Sequence, residues 1–351
     1  MTVRLVVLGY YGFGNFGDEL ILEAIQDELR TIQCEAIFVV NNPTQYKPVE
    51  GSRYSFVDRH DTGGVQRAVR RCDYIMLGGG GLIQDATTVR SSLYYLGIPL
   101  LARLYGKGLI SYGQGIGPLK SPLIRWLVRM VFRRMVLIDV RDEASAHLLR
   151  SCGIDTKEIS VSSDVGLSLL LAQRKNLSLV PPRRPRVLAA VNARFGWTAE
   201  EAASFLDCLA SHYDAEIGLV VLFPSADETY THEIQDRLLT PSEIIGFLTA
   251  QQLVELCASA TVTVAGRYHM VAAGIASGSP VVALAYDSKV SQLATLCRLT
   301  CINPGTPPQE AARQALSSPQ ASADSQAVQH VLEARTARIE RLRKLLEQPG
   351  R

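Results

Sequence analysis

The chain has 351 residues, which is too long for one ordinary hydrophobic core and suits two domains of about 150 residues each. Hydrophobic residues make up 47% of the chain and charged residues 20%, a composition that excludes a disordered or fibrous protein. Because 36 lysines and arginines nearly balance 34 carboxylates, the net charge is only +2, and no overall positive field indicates nucleic-acid binding.

The cysteines and the N-terminal residues indicate a protein of the cytoplasm. The seven cysteines are odd in number and scattered, and no Cys-x-x-Cys pair occurs, so the sequence predicts neither a disulfide framework nor a zinc site. Residues 1–9 form an apolar run that is too short for a signal peptide and leads into a glycine-rich turn. No run of about 18 apolar residues predicts a membrane span.

Short apolar runs alternate with amphipathic stretches along the chain, which predicts βα units and parallel sheets. In the first half the predicted strands are 4–8, 35–40, 74–77, 108–112, 136–140 and 159–161, and the predicted helices are 18–31, 65–72, 92–105, 122–134 and 142–151. In the second half the predicted strands are 186–191, 216–222, 261–265 and 281–284, and the predicted helices are 199–213, 229–239, 250–258, 270–277 and 289–296.

A polar, proline-rich segment without periodicity, 173–186, is the predicted linker between two domains. The predicted domains are 1–172 and 187–320, followed by a highly charged C-terminal helix at 324–347. The predicted fold class is therefore α/β, with two doubly wound domains facing across a cleft. Ligands of such sheets bind beyond the carboxyl ends of the strands, so we expect the site in that cleft.

The first segment with chemical character is GYYGFGNFGDE at 9–19, between the first strand and the first helix. Glycines let backbone N–H groups approach a ligand, and a helix N-terminus attracts anions. Gly12, Gly14 and Gly17 have the spacing of a dinucleotide fingerprint, but Asp18 and Glu19 would repel a pyrophosphate. We interpret the segment as a ligand-contacting loop; the alternative is a tight turn capped by Asp18.

Two more glycine-rich segments, GGGGLIQD at 78–85 and GQGIGP at 113–118, also follow predicted strands. Three such segments at the carboxyl ends of neighbouring strands predict a ligand-lined rim on one edge of the first sheet. Gln84 and Asp85 could bond a sugar hydroxyl. The alternative for the four consecutive glycines is close packing between a strand and a helix.

Cationic residues follow strands in both halves. Arg141 could bind a carboxylate or phosphate in bidentate fashion, or form a salt bridge with a nearby acid. In GRYH at 266–269, Arg267 and His269 would face the same way if the chain stays extended, and could bind an anion and supply a proton. The alternative is a surface histidine without a task. Lys289 lies at the expected edge of the cleft.

The stretch 123–136, which includes most of the predicted helix 122–134, is basic and amphipathic, with arginines on one side and apolar residues on the other. The two sets are Arg125, Arg129 and Arg133, and Trp126, Leu127, Met130 and Val131. Such helices often rest on anionic lipid, so peripheral membrane contact is one interpretation. The favoured interpretation is an ordinary helix of the fold with a solvated basic side.

Six motifs in this order resemble the polysaccharide pyruvyl transferase family, and specifically its CsaB-like branch. They are GYYGFGNFGDE at 9–19, GGGGLIQD at 78–85, GQGIGP at 113–118, RDEAS at 141–145, GRYH at 266–269 and YDSKV at 286–290. The chain departs from the family pattern at Tyr268, where an apolar residue is usual, and at Ser288, where proline is common. Neither departure changes a charged group.

The resemblance implies two Rossmann-like domains in the glycosyltransferase-B arrangement and transfer of pyruvyl from phosphoenolpyruvate, without a metal or cofactor. The product would be a pyruvate ketal on a sugar of a cell-envelope or exopolysaccharide glycan, with release of phosphate. Arg141 and Lys289 would hold the donor with help from Arg267, and His269 would be the general acid. The first domain would bind a lipid-linked sugar acceptor; its candidate residues are Tyr11, Gly12, Phe13, Asn15, Asp18, Gly80, Gln84, Asp85, Gln114 and Gly115.

Three other classes of protein deserve comparison. A nucleotide-sugar-dependent glycosyltransferase has the same expected architecture, and Asp287 could be its ribose-binding carboxylate. A non-enzymatic binding protein is disfavoured because the cationic residues expected in the cleft are all present: Arg141, Arg267, His269 and Lys289. A dinucleotide-dependent oxidoreductase is disfavoured because VVNN at 39–42 replaces the acid that would bind the ribose.

Overall fold

The computed structural model describes residues 2–48, 50–85, 89–174, 184–317 and 325–347. Its contacts divide the chain into a first domain, Met1–Phe13, Asp18–Ser168 and Glu333–Arg351, and a second domain, Gly14–Gly17 and Leu169–Leu332. Some predicted segments lie partly outside the described residues. They are 175–183 of the predicted linker, 318–320 of the predicted second domain and residue 324 of the predicted C-terminal helix.

The first domain is a parallel sheet of seven strands in the order β3-β2-β1-β4-β5-β6-β7. The strands are β1 (Val3–Leu8), β2 (Cys34–Val40), β3 (Tyr54–Asp58), β4 (Tyr74–Ile83), β5 (Gly108–Ile116), β6 (Leu137–Val140) and β7 (Ile159–Val161). The helices are α1 (Phe16–Arg30), α2 (Thr62–Arg71), α3 (Val89–Leu104), α4 (Pro122–Phe132), α5 (Glu143–Ser151) and α6 (Val165–Gln173), the last of which continues into the second domain. Central strands such as β1 are almost wholly apolar because helices cover both faces of a parallel sheet.

The second domain is a parallel sheet of six strands in the order β10-β9-β8-β11-β12-β13. The strands are β8 (Arg186–Ala190), β9 (Glu216–Val220), β10 (Ser242–Ile245), β11 (Val262–Ala265), β12 (Val281–Leu284) and β13 (Thr300–Ile302). The helices are α7 (Ala199–Tyr213), α8 (Pro224–Gln235), α9 (Ala250–Ala258), α10 (Tyr268–Ser277), α11 (Ser288–Leu296) and α12 (Pro308–Ser317). The last helix, α13 (Ser325–Glu347), begins in the second domain and belongs to the first domain from Glu333 onward.

Both sheets are doubly wound, and each reverses its strand order once. The reversal lies between β1 and β4 in the first sheet and between β8 and β11 in the second. At such a switch point the loops leave the carboxyl ends of neighbouring strands in opposite directions, which opens a crevice for ligands. The predicted class of two α/β doubly wound domains with a C-terminal helix is confirmed.

The second and third glycine-rich segments were predicted as loops after short strands, and this prediction is wrong. Strand β4 continues through all four glycines to Ile83, and β5 continues to Ile116. The two extensions pair with each other, Gly78 with Tyr112 and Gly80 with Gln114, with a register shift between Gly80 and Ile83. Glycines at positive φ, Gly79 and Gly80 among them, permit this irregular path without ending the pairing.

Five elements were missed by the sequence analysis. Strands β3, β10 and β13 are short edge strands, which are only partly buried and therefore lack a continuous apolar run. Helix α6 is apolar on all sides, so it has no amphipathic period. Helix α12 begins at Pro308, shortly after Pro304 and Pro307, and prolines outside the first helical turn interrupt a helical pattern.

Helix α4 also differs from its prediction. Trp126 and Met130 were expected on an apolar face opposite the arginines, but both side chains are exposed together with Arg129. The side that packs on the core carries the smaller set Ile124, Val128, Val131 and Phe132. Arg125 turns away from the exposed face, because its guanidinium donates to the Ser151 hydroxyl at 3.0 Å.

The C-terminal helix, α13, completes the core of the first domain. Arg338 is fully buried and donates to the Glu28 carboxylate at 2.7 Å, the Ser163 carbonyl at 2.8 Å and the Ser168 hydroxyl at 2.9 Å. Burial alone would lower the pKa of Arg338, but the neighbouring Glu28 carboxylate outweighs it and raises that pKa. Tyr112 also donates its hydroxyl to Glu28, at 2.5 Å.

Candidate functional site

In the first domain, Tyr11 is a core residue rather than an exposed loop residue. Only 1% of its surface is exposed, and its hydroxyl donates to the carbonyl of Gly78 at 2.6 Å. A Cβ atom on Gly9 would overlap the Tyr11 ring, and one on Gly78 would lie 2.6 Å from its hydroxyl. Glycines from two motifs therefore make room for one buried ring, which leaves Tyr11 no exposed surface for the predicted contact.

The rest of this loop is held from inside. The N–H of Gly12 donates to the Glu19 carboxylate at 2.7 Å, and a side chain at Gly12 would overlap the backbone of Asn41. Asn15 accepts a hydrogen bond from the backbone of the same loop. Phe13 is half-buried and stacks on Tyr10 with ring centroids 4.1 Å apart. The Arg59 guanidinium also lies over the Phe13 ring, 5.1 Å from its centroid, so this ring is packed as well.

Five candidate residues of the first domain come together at the carboxyl edge of its sheet. Gln114 is fully buried, and its amide nitrogen donates to the carbonyls of Gly80 at 2.8 Å and Gly115 at 3.0 Å. A Cβ atom on Gly80 would lie 3.4 Å from Asp18 Oδ1, and one on Gly115 would lie 2.5 Å from Arg141 Cζ. Gln114 Oε1 is buried without a hydrogen-bond partner among the described residues.

Arg141 lies within this group between two carboxylates. Its guanidinium is 3.1 Å from Asp142 and 3.4 Å from Asp164, and its side chain is only 9% exposed. Arg141 therefore forms salt bridges, as one of its two interpretations predicted. Asp164 also accepts the N–H groups of Gly166 and Leu167 at the start of α6, so it fixes both the helix and the arginine.

Gln84 and Asp85 follow β4, but the hydrogen bonds described for them all involve backbone groups of the protein. The Asp85 carboxylate accepts the N–H groups of Lys120 and Ser121 ahead of α4, at distances of 2.5–2.8 Å. Burial pushes the pKa of Asp85 up, but the hydrogen bonds from Ser121 and Lys120 outweigh it and lower that pKa. The backbone of Gln84 both donates to and accepts from the Ser92 hydroxyl.

In the second domain, Arg267 is the N-cap of α10, so His269 lies in the first helical turn. The assumption that the chain stays extended through both residues is wrong. Arg267 instead forms a bidentate ion pair with Asp227: Nε donates to Oδ2 at 3.0 Å and Nη2 donates to Oδ1. Asp227 is nearly buried and also accepts the Asn192 amide at 3.3 Å.

Asn192 and Asp227 were not predicted as site residues from the sequence. Both follow apolar strands, β8 and β9, just as Arg267 follows β11. Their position after a strand could have been recognised in the sequence. Which strand ends lie side by side, however, depends on the order of the strands in the sheet. The Asp227 carboxylate holds the guanidinium in one orientation, because both oxygens are engaged by the fork of Arg267.

His269 is half-buried and lies against the segment Gly14–Gly17, which groups with the second domain. A Cβ atom on Gly17 would overlap the imidazole of His269, and the Tyr268 ring meets that imidazole edge-on with centroids 5.1 Å apart. Gly17 therefore gives the imidazole its space, which is a second reason for a glycine in the first motif.

The neighbouring helix α11 adds Lys289 to this edge of the sheet. The Asp287 carboxylate accepts the N–H groups of Lys289 and Val290, each at 3.0 Å, and so caps the helix. Helices α10 and α11 follow the neighbouring parallel strands β11 and β12, so their N-terminal ends lie at the same edge of the sheet, where Arg267 caps α10 and Asp287 caps α11. Burial raises the pKa of Tyr286, and Arg267 opposes that rise, which places the phenol beside the guanidinium.

The sequence profile of the family described as polysaccharide pyruvyl transferase matches residues 15–288. The chain belongs to the polysaccharide pyruvyl transferase family. Membership indicates a transferase that acts on polysaccharide. The chain matches none of the curated proteins.

Several solved structures share the fold of this family member over almost its whole length. A UDP-GlcNAc 2-epimerase from Neisseria meningitidis bound to UDP-GlcNAc has 14% identity and a TM-score of 0.66, and the match covers 98% of this chain and 100% of that chain. A glycosyltransferase from Rickettsia africae ESF-5 has 12% identity and a TM-score of 0.63, with 99% and 100% covered. A putative UDP-N-acetylglucosamine 2-epimerase from Listeria monocytogenes has 13% identity and a TM-score of 0.61, with 97% and 98% covered. The predicted glycosyltransferase-B-like fold class is confirmed.

The described residues of this polysaccharide pyruvyl transferase family member contain no group of three or more His, Cys, Asp or Glu side chains that could hold a metal ion. They also contain no helix long and apolar enough to cross a membrane.

Proposed function

We propose that this chain transfers the pyruvyl group of phosphoenolpyruvate to a sugar of a cell-envelope or exopolysaccharide glycan, as a member of the CsaB-like branch. One observation carries the proposal. Arg267, His269 and Lys289 lie at the N-terminal ends of two neighbouring helices at the carboxyl edge of the second sheet. An anion-binding edge with a proton donor beside it suits a donor that carries both a phosphate and a carboxylate.

Arg267 is the residue that we expect to contact the donor most directly. Asp227 uses its Nε and Nη2 atoms, and no other described residue bonds the guanidinium, so Nη1 can donate to a bound anion. Asp227 neutralises part of the charge but holds the fork rigidly, and a fixed donor loses less entropy on binding than a free side chain. Lys289 would supply a second charge from the first turn of α11.

His269 would deliver the proton that starts the reaction. The proton goes to the methylene carbon of phosphoenolpyruvate, and the neighbouring carbon is then attacked by one sugar hydroxyl, which loses its own proton. A second hydroxyl attacks the same carbon as the bond from that carbon to the phosphate oxygen breaks, and the proton of this hydroxyl leaves with the phosphate. Two C–O bonds form and one breaks, and phosphate leaves as an anion that a cationic edge stabilises.

The acceptor would bind to the first domain, at the edge formed by Asp18, Gly80, Gln114 and Gly115, whereas Arg141 would bind the donor. The half-buried Asp18 carboxylate can accept hydrogen bonds from sugar hydroxyl groups. We propose a lipid-linked acceptor and a cytoplasmic reaction, for which seven cysteines outside disulfide bonds are suited.

Arg141 can be assigned to donor or acceptor by kinetics. Arg141→Gln should raise the KM for phosphoenolpyruvate at least tenfold if the guanidinium binds the donor, as we propose. An unchanged donor KM together with a raised acceptor KM would move Arg141 to the acceptor. The matched control is Asp142→Asn, which removes one charged partner of Arg141 and leaves the partly buried ion pair between Arg141 and Asp164.

A nucleotide-sugar-dependent glycosyltransferase is the alternative function. The Neisseria meningitidis relative in fold is bound to UDP-GlcNAc, so the architecture can hold a nucleotide sugar. The carboxylate first considered for the ribose, Asp287, is engaged as the cap of α11, which disfavours this function. A thermal shift by UDP- or GDP-sugars, without one by phosphoenolpyruvate, would favour it.

The decisive experiment adds phosphoenolpyruvate and a lipid-linked glycan mimic to the purified protein. Phosphate release and the mass gain of one pyruvyl group on the glycan are followed together. His269→Ala should abolish both, whereas His232→Ala, an exposed histidine of α8, should change neither. Absence of release, combined with no thermal shift by phosphoenolpyruvate, would contradict the proposal.

A further inference from the structure

The exposed apolar side chains of this protein are concentrated in one region. Ten large hydrophobic side chains are exposed in the described residues, and seven of them belong to α3, α4 or the turn after α4. They are Val89, Leu93, Leu104, Leu123, Trp126, Met130 and Val136. Because α3 and α4 pack against each other, these side chains and the groove between the helices form one region, the α3–α4 surface. Contiguous exposed apolar area on a globular protein marks an interaction site.

The charge of this region is as unusual as its hydrophobicity. The 53 residues between Asp85 and Asp139 contain eight lysines and arginines and none of the 34 carboxylates of the chain. Arg103, Arg129, Arg133 and Arg134 line a groove of 590 Å³ together with Trp126 and Met130. The acidic border of the surface lies beside Arg133, where Asp155 and Glu158 line the adjacent groove.

The combination of apolar and cationic side chains selects one occupant. A second copy of the same surface would bring four arginines against four others, and like charges repel at close range. A nucleic acid would pair with the arginines but leave Leu104, Leu123 and Trp126 in water. An anionic lipid surface satisfies both sets, because phosphates meet the arginines while tryptophan and aliphatic groups enter the boundary between headgroups and acyl chains.

We propose that the α3–α4 surface docks this protein on anionic phospholipid membranes, with Trp126 and Leu104 entering the interface. The docking is peripheral and reversible, because each arginine near an anionic surface strengthens partitioning by only about fivefold. It depends only on this surface of the first domain and stands even if the proposed reaction is wrong.

Vesicle flotation tests the proposal on the full chain. Vesicles of phosphatidylcholine with phosphatidylglycerol should carry the protein at low salt, and vesicles of phosphatidylcholine alone should not. The double variant Arg129→Gln, Arg133→Gln should lower partitioning by about twenty-fivefold. The control double variant Arg71→Gln, Arg313→Gln removes the same charge from exposed positions elsewhere and should stay within about twofold of the wild type.

Tryptophan fluorescence locates the contact. The chain has two tryptophans, and Trp197 is buried whereas Trp126 is 55% exposed, so a blue shift on adding anionic vesicles reports Trp126. Trp126→Phe should abolish that shift while the melting temperature stays unchanged.

Absence of flotation at low salt would overturn the proposal. So would equal losses in both double variants, or binding without a blue shift. Self-association that Trp126→Ser abolishes, without vesicle binding, would show that a second copy covers the surface instead.

Discussion

Replacing Arg338 by methionine tests whether α13 is part of the first domain's core. Arg338 and Glu28 are 0% and 1% exposed, and the two side chains share two hydrogen bonds, at 2.7 and 3.3 Å. Methionine fills a similar volume but leaves the buried Glu28 carboxylate without this partner. Removal of one member of a buried ion pair costs about 3–5 kcal/mol because the other charge is left uncompensated.

The expected loss lies near the lower end of that range, about 3 kcal/mol, because Arg335 and Tyr112 still donate to Glu28. For a domain of this size each kcal/mol corresponds to about 2–4 °C, so the thermal transition of the first domain should fall by about 6–12 °C. Calorimetry measures the shift, and a second probe such as urea unfolding checks its size.

The matched control is Arg343→Met on the same helix. Arg343 is 31% exposed and pairs only with Glu340 three residues earlier and, more weakly, with Thr31. A pair of this kind contributes at most about 1 kcal/mol, so the transition should move by less than about 4 °C. Equal shifts for Arg343→Met and Arg338→Met would refute the interpretation. Adding Glu28→Gln to Arg338→Met should recover part of the loss, and a further fall would also refute it.

Three other perturbations have clear expected outcomes. Asp85→Ala should lower the free energy of unfolding by about 1 kcal/mol at pH 7. Because the pKa of Asp85 is lowered in the fold, the difference in stability between this variant and the wild type should vanish as the pH falls well below 3.8. A difference that persists there would contradict the assignment. Burial raises the pKa of Cys34 to about 11, so iodoacetamide at pH 8 should modify the exposed Cys208 and spare Cys34, as peptide mass spectrometry would show. Gly17→Ala, which places a methyl group against the predicted general acid, should lower pyruvyl transfer at least tenfold, whereas Gly97→Ala, with open space around it, should not; equal activities would remove that steric role.

Helices with strong local signals could be read from the sequence to the residue. The bounds of α7 and α9, 199–213 and 250–258, agree with prediction because each begins with a complete capping box, Thr198 with Glu201 and Thr249 with Gln252. The extensions of β4 and β5 could not be read in this way. Glycine has little strand propensity, and only the pairing of the two extensions with each other keeps these residues in the sheet.

The candidate residues show a similar division. That Arg267 and Lys289 follow strands was apparent from the alternation of apolar and amphipathic segments. Which carboxylate would meet Arg267 was not, because Asp227 is 40 residues away and the contact depends on the spatial order of β8, β9 and β11. For the same reason the sequence left open whether Arg141 has an acidic partner, and Asp164, beyond β7, became visible as one only in the fold.

The packing of Tyr11 restricts which substitutions related sequences can accept. Gly9, Tyr11 and Gly78 are three positions that define one volume, since the ring occupies the space that either glycine's Cβ would need. A substitution at Gly9 is tolerable only after the ring has become smaller, and a smaller side chain at position 11 opens a void that an alanine at position 9 could fill. A Cβ atom at Gly78 would in addition meet Val7 and Ile25, so these side chains would have to shift as well. Related chains should therefore change these positions as a set, so that a covarying trio spans two motifs 67 residues apart.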